Sequence, residues 1–392
     1  MDGMIDASLK RLVQRKKCTL LGVGPMSVNC VDATIELANE YDVPLLMIAS
    51  RRQIDSDLFG GGYVNNWTTQ AFANYVTSKD RKGQVLLARD HGGPWQNNME
   101  VEQKLCLRRA MQSAKASYKA DIDAGFQVLH IDPSLDIHGV PNVDEVLNRV
   151  YELYEFCWHE AQRSGKQVVF EVGTEEQSGS TNSEESLDYT LAAIKKFCVR
   201  NKIPSPTFVV VQCGTKVMEM RNVGCFESPL HVLDDFPTLI QLPKMLAVCN
   251  RYGILMKEHN TDYLSDAALQ LHPRLGIHAA NVAPEFGVAE SKALVTVLET
   301  NGLSDLSEQF LSISLKSKKW EKWMLDGTKA DTHEKALIAG HYVFSTPAIV
   351  ELKAKAANEL LKIGINLELY LKDQIKLSIF RYMRHFGLIG TA

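Results

Sequence analysis

Eight short apolar segments rich in Val, Ile and Leu recur along the chain. Each is a continuous apolar run, which is the pattern of a β-strand that is covered on both faces. The predicted strands are Thr19–Val23, Pro44–Ser50, Val85–Asp90, Val128–Asp132, Val168–Val172, Phe208–Gln212, Ile254–Glu258 and Gly276–Asn281. Strands of this kind are typical of parallel sheets that carry helices on their faces.

The connections between these strands indicate amphipathic helices. Met99–Asp123 is rich in helix formers and stops before an Ala-Gly pair, and Asn142–Arg163 runs from a capping Asn to a Ser-Gly pair. Glu184–Arg200 and Pro237–Tyr252 repeat the arrangement. Eight alternations of strand and helix favour an α/β fold, a closed (β/α)8 TIM barrel, over an open doubly wound sheet. Periodicity alone does not prove closure, so the open sheet is the alternative.

Helical patterns continue beyond the last predicted strand. Val288–Glu299 is followed by a polar stretch that contains Trp320 and Trp323, and then by helical patterns at Thr346–Lys362 and Asn366–Phe386. We therefore predict a barrel over residues 1–300 and a C-terminal helical extension over residues 301–392. The extension is expected to pack on the barrel or on a partner subunit.

Composition and charge narrow the functional classes. Hydrophobic residues make up 45% of the 392 residues, and the net charge of −4 provides no basic field for nucleic acid or an anionic membrane. The eight cysteines form no C-x-x-C pair, which predicts reduced core thiols. The chain shows no secretory signal and no apolar stretch long enough to span a bilayer. We expect a soluble cytoplasmic protein.

The strongest candidate chemistry lies at the end of the third predicted strand, where Asp90 and His91 precede Gly92-Gly93-Pro94. If the strand breaks into a loop there, both side chains reach the mouth of the barrel, where the active sites of this fold are built. Asp90 can then act as a general base while His91 holds a metal ion. The alternative is that Asp90 caps the next helix and His91 packs in the core.

Two further strands carry polar residues that a core does not favour. Glu171 lies inside the apolar fifth strand, where a carboxylate needs a cation or hydrogen-bond donors. His259 follows Lys257 and Glu258 at the end of the seventh strand. We interpret Glu171 and His259 as site residues; the alternative for Glu171 is an ion pair with a lysine or arginine of the barrel.

The remaining candidates are weaker. His130 and Asp132 share one face of the fourth strand, and we interpret Asp132, at the strand end, as the site residue and His130, which lies deeper, as structural. Lys216 follows the sixth strand and is suited to bind phosphate, although a solvated loop lysine is the commoner case. The predicted substrate-binding residues are Gln53, Lys216, Asp262 and Asn281.

Several of these segments together resemble the class II aldolase superfamily, most closely the accessory-subunit branch of the tagatose-bisphosphate aldolases (GatZ/KbaZ-like). The matching segments, in order along the chain, are Phe59–Tyr63, Ala88–Trp95, Ala124–Ser134, Gly173-Thr174-Glu175, Val210–Gly214, Glu258–Tyr263 and Asn281–Pro284. The resemblance implies a (β/α)8 barrel that uses Zn²⁺, or another divalent ion, to make or break a carbon–carbon bond in a sugar or sugar phosphate.

The resemblance also implies roles for individual residues. Asp90 would be the acid or base, and Asp132 matches the aspartate of the fourth strand. His91 and His259 would be metal ligands, with Glu171 close to the metal. The divalent ion would polarise the substrate carbonyl and stabilise the enediolate.

Two departures from the catalytic members leave the function open. The third zinc histidine expected after the sixth strand is absent from Gly214-Thr215-Lys216-Val217, and the Gly- and Ser-rich phosphate loop expected after the seventh strand is replaced by Asn260-Thr261-Asp262. The accessory subunit shares the first departure and is regarded as non-catalytic, yet it has an apolar residue where this chain has Glu171. An active metal-dependent lyase therefore ranks first.

Two alternatives rank below the metal-dependent lyase. The second hypothesis is a non-catalytic subunit that stabilises a separate class II aldolase chain. The third is Schiff-base chemistry through Lys257 or Lys216. The expected partners are the sugar substrate and a second copy of the chain or an aldolase partner chain.

Overall fold

Eight parallel strands close into a barrel. The computed structural model describes residues 4–174, 183–227 and 238–390. The strands are β1 (Leu20–Val23), β2 (Leu45–Ser50), β3 (Val85–Gly92), β4 (Val128–Ile131), β5 (Val169–Val172), β6 (Phe208–Val210), β7 (Val217–Met218), β8 (Arg221–Asn222), β9 (Leu255–Glu258) and β10 (Ala279–Val282). The barrel order is β1-β2-β3-β4-β5-β6-β9-β10, with β10 pairing back onto β1, while β7 and β8 form a small antiparallel hairpin. The prediction of a closed barrel is confirmed, and the open sheet is excluded.

The barrel strands coincide with the eight predicted apolar runs because both faces of each strand are covered. Every residue of β1, β4, β5, β9 and β10 is buried. The largest difference is at β10, which starts at Ala279 and not at the predicted Gly276. Gly276 instead ends the preceding helix in a left-handed conformation (φ 87°).

Helices cover the outside of the barrel and continue beyond it. They are α1 (Met4–Lys16), α2 (Val28–Tyr41), α3 (Thr69–Lys79), α4 (Asn98–Glu102), α5 (Leu107–Ala124), α6 (Val143–Arg163), α7 (Glu184–Asn201), α8 (Thr238–Tyr252), α9 (Asp266–Leu275), α10 (Pro284–Thr300), α11 (Ser304–Lys316), α12 (Thr332–Ala339), α13 (Pro347–Leu361) and α14 (Leu367–His385). The predicted helix Met99–Asp123 is in fact two helices, α4 and α5, because Lys104 between them adopts a left-handed conformation (φ 48°). The predicted cap Asn142 forms a full capping box with Glu145 at the start of α6.

The C-terminal helices pack on the barrel in two ways. Apolar residues of α10, α11, α12, α13 and the start of α14 form their own hydrophobic cluster. The rest of α14 returns to the barrel core through residues such as Ile375 and Ile379, and the Thr19 amide beside β1 donates a hydrogen bond to the Phe386 carbonyl (2.9 Å). The predicted boundary at residue 300 coincides with the end of α10, and the division into two domains stays a prediction.

Within the described ranges, no helix has both the length and the apolar character needed to cross a bilayer. The connection after β2, residues 51–68, is described in full, and it includes a short 3-10 helix at Asp57–Phe59. In the connection after β5, residues 175–182 lie outside the described residues, as does Pro237 before α8.

Candidate active site

Three imidazoles and two carboxylates converge at the carboxyl ends of the strands. We name this set the strand-end cluster: Asp90, His91, His130, Glu171 and His259. The three imidazole rings lie 5.1, 5.1 and 5.4 Å apart between centroids. Ligand atoms of all three histidines lie within 4.8 Å of one another, and the same holds for a second group that comprises Asp90, His130, Glu171 and His259. The cluster therefore offers a nitrogen-rich set of donors for one metal ion.

The end of β3 presents two adjacent residues to the same mouth. The register between β3 and β4 shifts between Arg89 and Gly92, and His91 adopts a left-handed conformation (φ 43°). This local departure from strand geometry turns both Asp90 and His91 toward the barrel mouth, where they line the same cavity. The predicted break after Asp90 thus occurs at His91 itself, one residue before the glycines.

Glu171 is held between a lysine and a histidine. Lys257 Nζ lies 2.5 Å from Glu171 Oε2, and His259 Nε2 lies 2.9 Å from Glu171 Oε1. Burial alone would raise the pKa of the Glu171 carboxyl, but the charges of Lys257 and His130 and the hydrogen bond from His259 lower it to about 2. The ion pair named as the alternative is present, and the second carboxylate oxygen still faces the imidazoles.

His130 belongs to the cluster, although its deeper place on the strand had favoured a structural role. It is the register partner of Glu171 on β5, and its Nδ1 lies 3.8 Å from Glu171 Oε1 and 3.7 Å from Asp90 Oδ1. The His91 amide donates to His130 Nδ1 (3.1 Å), and Nε2 is buried without a hydrogen-bond partner among the described residues. In the sequence, its spacing of two residues from Asp132 was the signal that both side chains share one face of the strand.

Asp90 lies on the side of the cluster that faces the open cavity. The Asn281 side-chain amide lies 3.2 Å from Asp90 Oδ1 and 3.1 Å from His259 Nε2, so it bridges β3 and β9. Burial would raise the pKa of Asp90, but the charge of His91 and the hydrogen bond from His130 outweigh it and hold this pKa well below its ordinary value. Asp90 is therefore an ionised carboxylate at neutral pH.

The imidazoles of His91 and His259 differ in charge state. His91 Nδ1 lies 2.7 Å from Asp132 Oδ2, and the Ser134 hydroxyl donates to the other oxygen of Asp132 (2.5 Å). Burial opposes protonation of His91, but the charges of Asp90 and Asp132 raise its pKa to about 9. Burial lowers the pKa of His259 below its ordinary value despite its contact with Glu171, so this imidazole is neutral. Asp132 thus orients His91 from behind, as carboxylates orient ligating histidines in metal sites.

A cavity of about 640 Å³ opens above the cluster, with Asp90 and His91 in its lining. The lining also includes Gln53 from the loop after β2, and Trp323 and Tyr342 from the C-terminal extension. A cavity of this volume accommodates a small sugar derivative. The extension therefore forms part of the wall of the candidate active site.

Two predicted substrate-binding residues lie elsewhere. Of the described residues, the lining includes neither Lys216 nor Asp262. Lys216 lies next to the β7–β8 hairpin, where its backbone contacts Asn222 and Val223. Asp262 accepts hydrogen bonds from the amides of Ala283 and Glu285 at the start of α10, and burial together with the charge of Glu285 raises its pKa to about 7.

Solved structures share this fold at low sequence identity. One match is a probable tagatose 6 phosphate kinase from Sinorhizobium meliloti 1021, at 18% identity and a TM-score of 0.75, covering 94% of this chain and 100% of that chain. Another is the fructuronate-tagaturonate epimerase UxaE from Cohnella laeviribosi, at 12% identity and a TM-score of 0.57, covering 94% of this chain and 81% of that chain. These likenesses establish the architecture alone.

A family model gives a more specific result. The model for the D-tagatose-1,6-bisphosphate aldolase subunit, GatZ/KbaZ-like, matches residues 7–327, which include every barrel strand and every residue of the strand-end cluster. The resemblance found in the sequence is thereby confirmed. The chain belongs to the GatZ/KbaZ-like family of D-tagatose-1,6-bisphosphate aldolase subunits.

Proposed function

We propose that this chain is itself a catalytic, divalent-metal-dependent lyase that makes or breaks a carbon–carbon bond in a sugar or sugar phosphate. The supporting observation is the strand-end cluster, where residues from four strands converge and two of them, Asp90 and His91, line a cavity. Buried imidazoles and carboxylates are costly to place together, and the buried Nε2 of His130 has no hydrogen-bond partner among the described residues, which favours a ligand at the cluster. A protein that only supported another subunit would have no need of this arrangement.

The donor set fits a metal ion. His91, His130 and His259 supply three nitrogens, and Glu171 Oε1 lies beside two of them. Zn²⁺ favours histidine nitrogen together with carboxylate oxygen. A divalent cation held by these residues would polarise the substrate carbonyl and stabilise negative charge on the enediolate.

Asp90 is placed to move the proton. In the cleavage direction its carboxylate would take the proton of the hydroxyl whose carbon becomes the aldehyde, while the electron pair of the breaking carbon–carbon bond moves toward the ketone fragment. Asp90 would then return the proton to that fragment at carbon. The Asn281 amide fixes the carboxylate for both steps, and Asp132 keeps the His91 ring in place.

Metal analysis together with a cleavage assay tests this proposal. We expect about one divalent ion per chain, and cleavage of ketose phosphates that a chelator stops and added metal restores. His259→Ala should lower metal affinity at least about 10–100-fold, since it removes a ligand and not merely a residue that orients one. The matched control is His159→Ala, because His159 is an exposed residue of α6. Full activity of metal-free protein would refute the proposal.

A non-catalytic subunit is the second candidate. Two observations favour it: the family is one of aldolase subunits, and Gly214-Thr215-Lys216-Val217 after β6 contains no histidine. Thr215 instead donates a hydrogen bond to the His259 carbonyl (2.7 Å). This function predicts that the chain binds a separate class II aldolase, raises the stability of that partner, and retains this effect after His259→Ala.

Schiff-base chemistry through Lys257 is disfavoured by the geometry. Lys257 is buried, pairs with Glu171 and lies over the Phe208 ring (5.7 Å to its centroid). Among the described residues, the cavity lining does not include Lys257, whereas a nucleophile must reach the substrate carbonyl. Borohydride should therefore trap no substrate on the protein.

A further inference from the structure

We propose that Arg52, Lys319 and Lys322, which we name the cationic rim, form a binding site for an oxyanion group of the substrate, either a phosphate monoester or a carboxylate. Arg52 follows β2, and the two lysines belong to the segment between α11 and α12 of the C-terminal extension. All three line the same cavity as Asp90 and His91. This inference rests on the proposed function, because it concerns the substrate that the strand-end cluster would act on.

The cationic rim lacks compensating negative charge. Within ranges 4–174, 183–227 and 238–390, no carboxylate lies within ion-pair distance of these three side chains, and Asp90 is the only acid in the cavity lining. Arg51, also in the lining, shows the contrast: it pairs with Asp55 (3.0 Å) and Glu100 (2.6 Å). The rim therefore holds positive charge that the described protein itself does not neutralise.

Arg52 provides a second sign of a missing ligand. Its Nε is buried without a hydrogen-bond partner among the described residues. An unpaired buried donor on a charged group is costly, and such a group usually meets a ligand or water. Burial lowers the pKa of Arg52 below its ordinary value.

Lys322 is held by aromatic neighbours and, among the described residues, not by an acid. Lys322 Nζ lies 4.7 Å from the centroid of the Trp323 ring and 5.3 Å from that of Tyr342. The Trp323 indole donates a hydrogen bond to Tyr342 Oη (3.1 Å), and the Tyr342 ring packs against Tyr63 (4.9 Å) from the loop after β2. Aromatic packing thus brings the extension and the β2 loop together and leaves the ammonium group accessible to an anion.

The position of the rim also accounts for a departure noted in the sequence. The chain has Asn260-Thr261-Asp262 where a Gly- and Ser-rich phosphate loop is expected, and Thr261 and Asp262 are buried in contacts with the protein itself. Arginine and lysine from other segments can supply the charge that such a loop would provide through backbone amides. Recognition of the anion would then come from the extension.

Ion binding by the full-length protein tests this inference directly. Isothermal titration calorimetry with inorganic phosphate and, separately, with acetate should show one saturable site. Arg52→Met and Lys322→Met should each weaken binding about tenfold or more, since each removes a charged partner. The matched control is Lys316→Met, because Lys316 is exposed at the end of α11 and is not part of the cavity lining. The ion that binds tighter identifies the group as phosphate or carboxylate.

A second variant keeps the test separate from the proposed catalysis. His259→Ala should leave ion binding by the rim unchanged, and binding requires no turnover, so the rim can be confirmed even if cleavage is never observed. Equal affinity of all variants would overturn the inference. Loss of binding in His259→Ala with full binding in Lys322→Met would also overturn it, because the ion would then belong to the strand-end cluster. Thermal unfolding of each variant checks that the fold is retained.

Discussion

The strand-end cluster and the cationic rim border the same cavity but differ in how their charges are balanced. The cluster is formed by strand ends of the barrel, and each of its charges has a partner within about the distance of a hydrogen bond or an ion pair, as Glu171 has in Lys257. The rim is formed by a loop and the extension, and its charges have no acidic partner among the described residues.

This difference indicates what each region is for. A balanced network holds its own groups in fixed positions, which suits chemistry that needs a precise arrangement of donors. An unbalanced group of charges gains stability when an opposite charge arrives, which suits recognition. Substitutions in the two regions should therefore have different consequences, and the largest effect is expected at Asp90.

Asp90→Asn should lower kcat about 10²–10⁴-fold, because the amide cannot accept a proton while its shape and position are kept. Metal content and phosphate affinity should stay unchanged, since the substitution leaves the imidazoles and the rim in place. Steady-state kinetics with metal analysis measures both. Asp57→Asn, at an exposed position in the loop after β2, is the control. A loss of phosphate binding in Asp90→Asn would break the separation of the two regions.

Lys257→Met should lower the free energy of unfolding by about 3–5 kcal/mol, because it leaves the buried Glu171 carboxylate without its cation. The same change at the rim, Lys322→Met, should alter stability by less than about 0.5 kcal/mol, because no partner is left unpaired. Urea unfolding of both variants gives the comparison. Equal destabilisation would show that the rim is as tightly coupled to the fold as the cluster.

Gly173→Ala should disturb the cluster through His130. A β-carbon at position 173 would lie 2.6 Å from His130 Nε2, so the ring must move. We expect about 1–3 kcal/mol of destabilisation and a weaker metal affinity. Gly139→Ala is the matched control, because a β-carbon there meets nothing within 4 Å, and it should be neutral. Unchanged metal affinity in Gly173→Ala would remove His130 from the ligand set.

Anion binding at the rim should weaken a few-fold as the pH rises through about 8. Burial and the positive charges of Arg52 and Lys319 lower the pKa of Lys322 to about 8. The anion favours the protonated lysine, so affinity is highest below this pKa and falls above it. Two titratable neighbours of Lys322 stay uncharged in this pH interval, since the pKa of His341 is about 3 and that of Tyr342 is about 12. Sulfate is a suitable probe because it stays a dianion throughout.

The variant Lys322→Met distinguishes the effect of Lys322 from that of His91, another titratable group in the cavity lining whose pKa lies near this interval. The pKa of His91 is raised to about 9 when no metal ion is bound. Sulfate affinity of Lys322→Met, measured by calorimetry from pH 6.5 to 8.5, should therefore change much less than that of the unaltered protein. Equal pH profiles for the two proteins would contradict the role of Lys322.

Much of the fold was predictable because it depends on local pattern. Continuous apolar runs marked all eight barrel strands, and capping residues such as Asn142 marked helix starts. The errors are also local. Lys104 adopts a left-handed conformation that the preferences of lysine do not predict, and this conformation divides one predicted helix into two.

The candidate site was predictable only in part. Asp90, His91, Glu171 and His259 stand out because polar groups at the ends of apolar strands must face something polar. His130 lies in the cluster, which its spacing from Asp132 did not reveal, because that spacing reports a shared face but not depth in the barrel, which depends on the stagger of neighbouring strands. Its role stays a prediction. Asp262 was predicted to bind substrate because it follows β9, yet its carboxylate accepts hydrogen bonds at the start of α10.

The eight strands, the helices between them and the loops where chemistry gathers follow from the sequence, because periodicity and strand length are local properties. The choice of which polar groups meet depends on packing in three dimensions. Barrel closure brings residue 91 against residue 259, and the path of the extension brings Lys322 into the cavity that Arg52 lines. Such contacts join positions more than a hundred residues apart, and no local pattern encodes the packing that selects them.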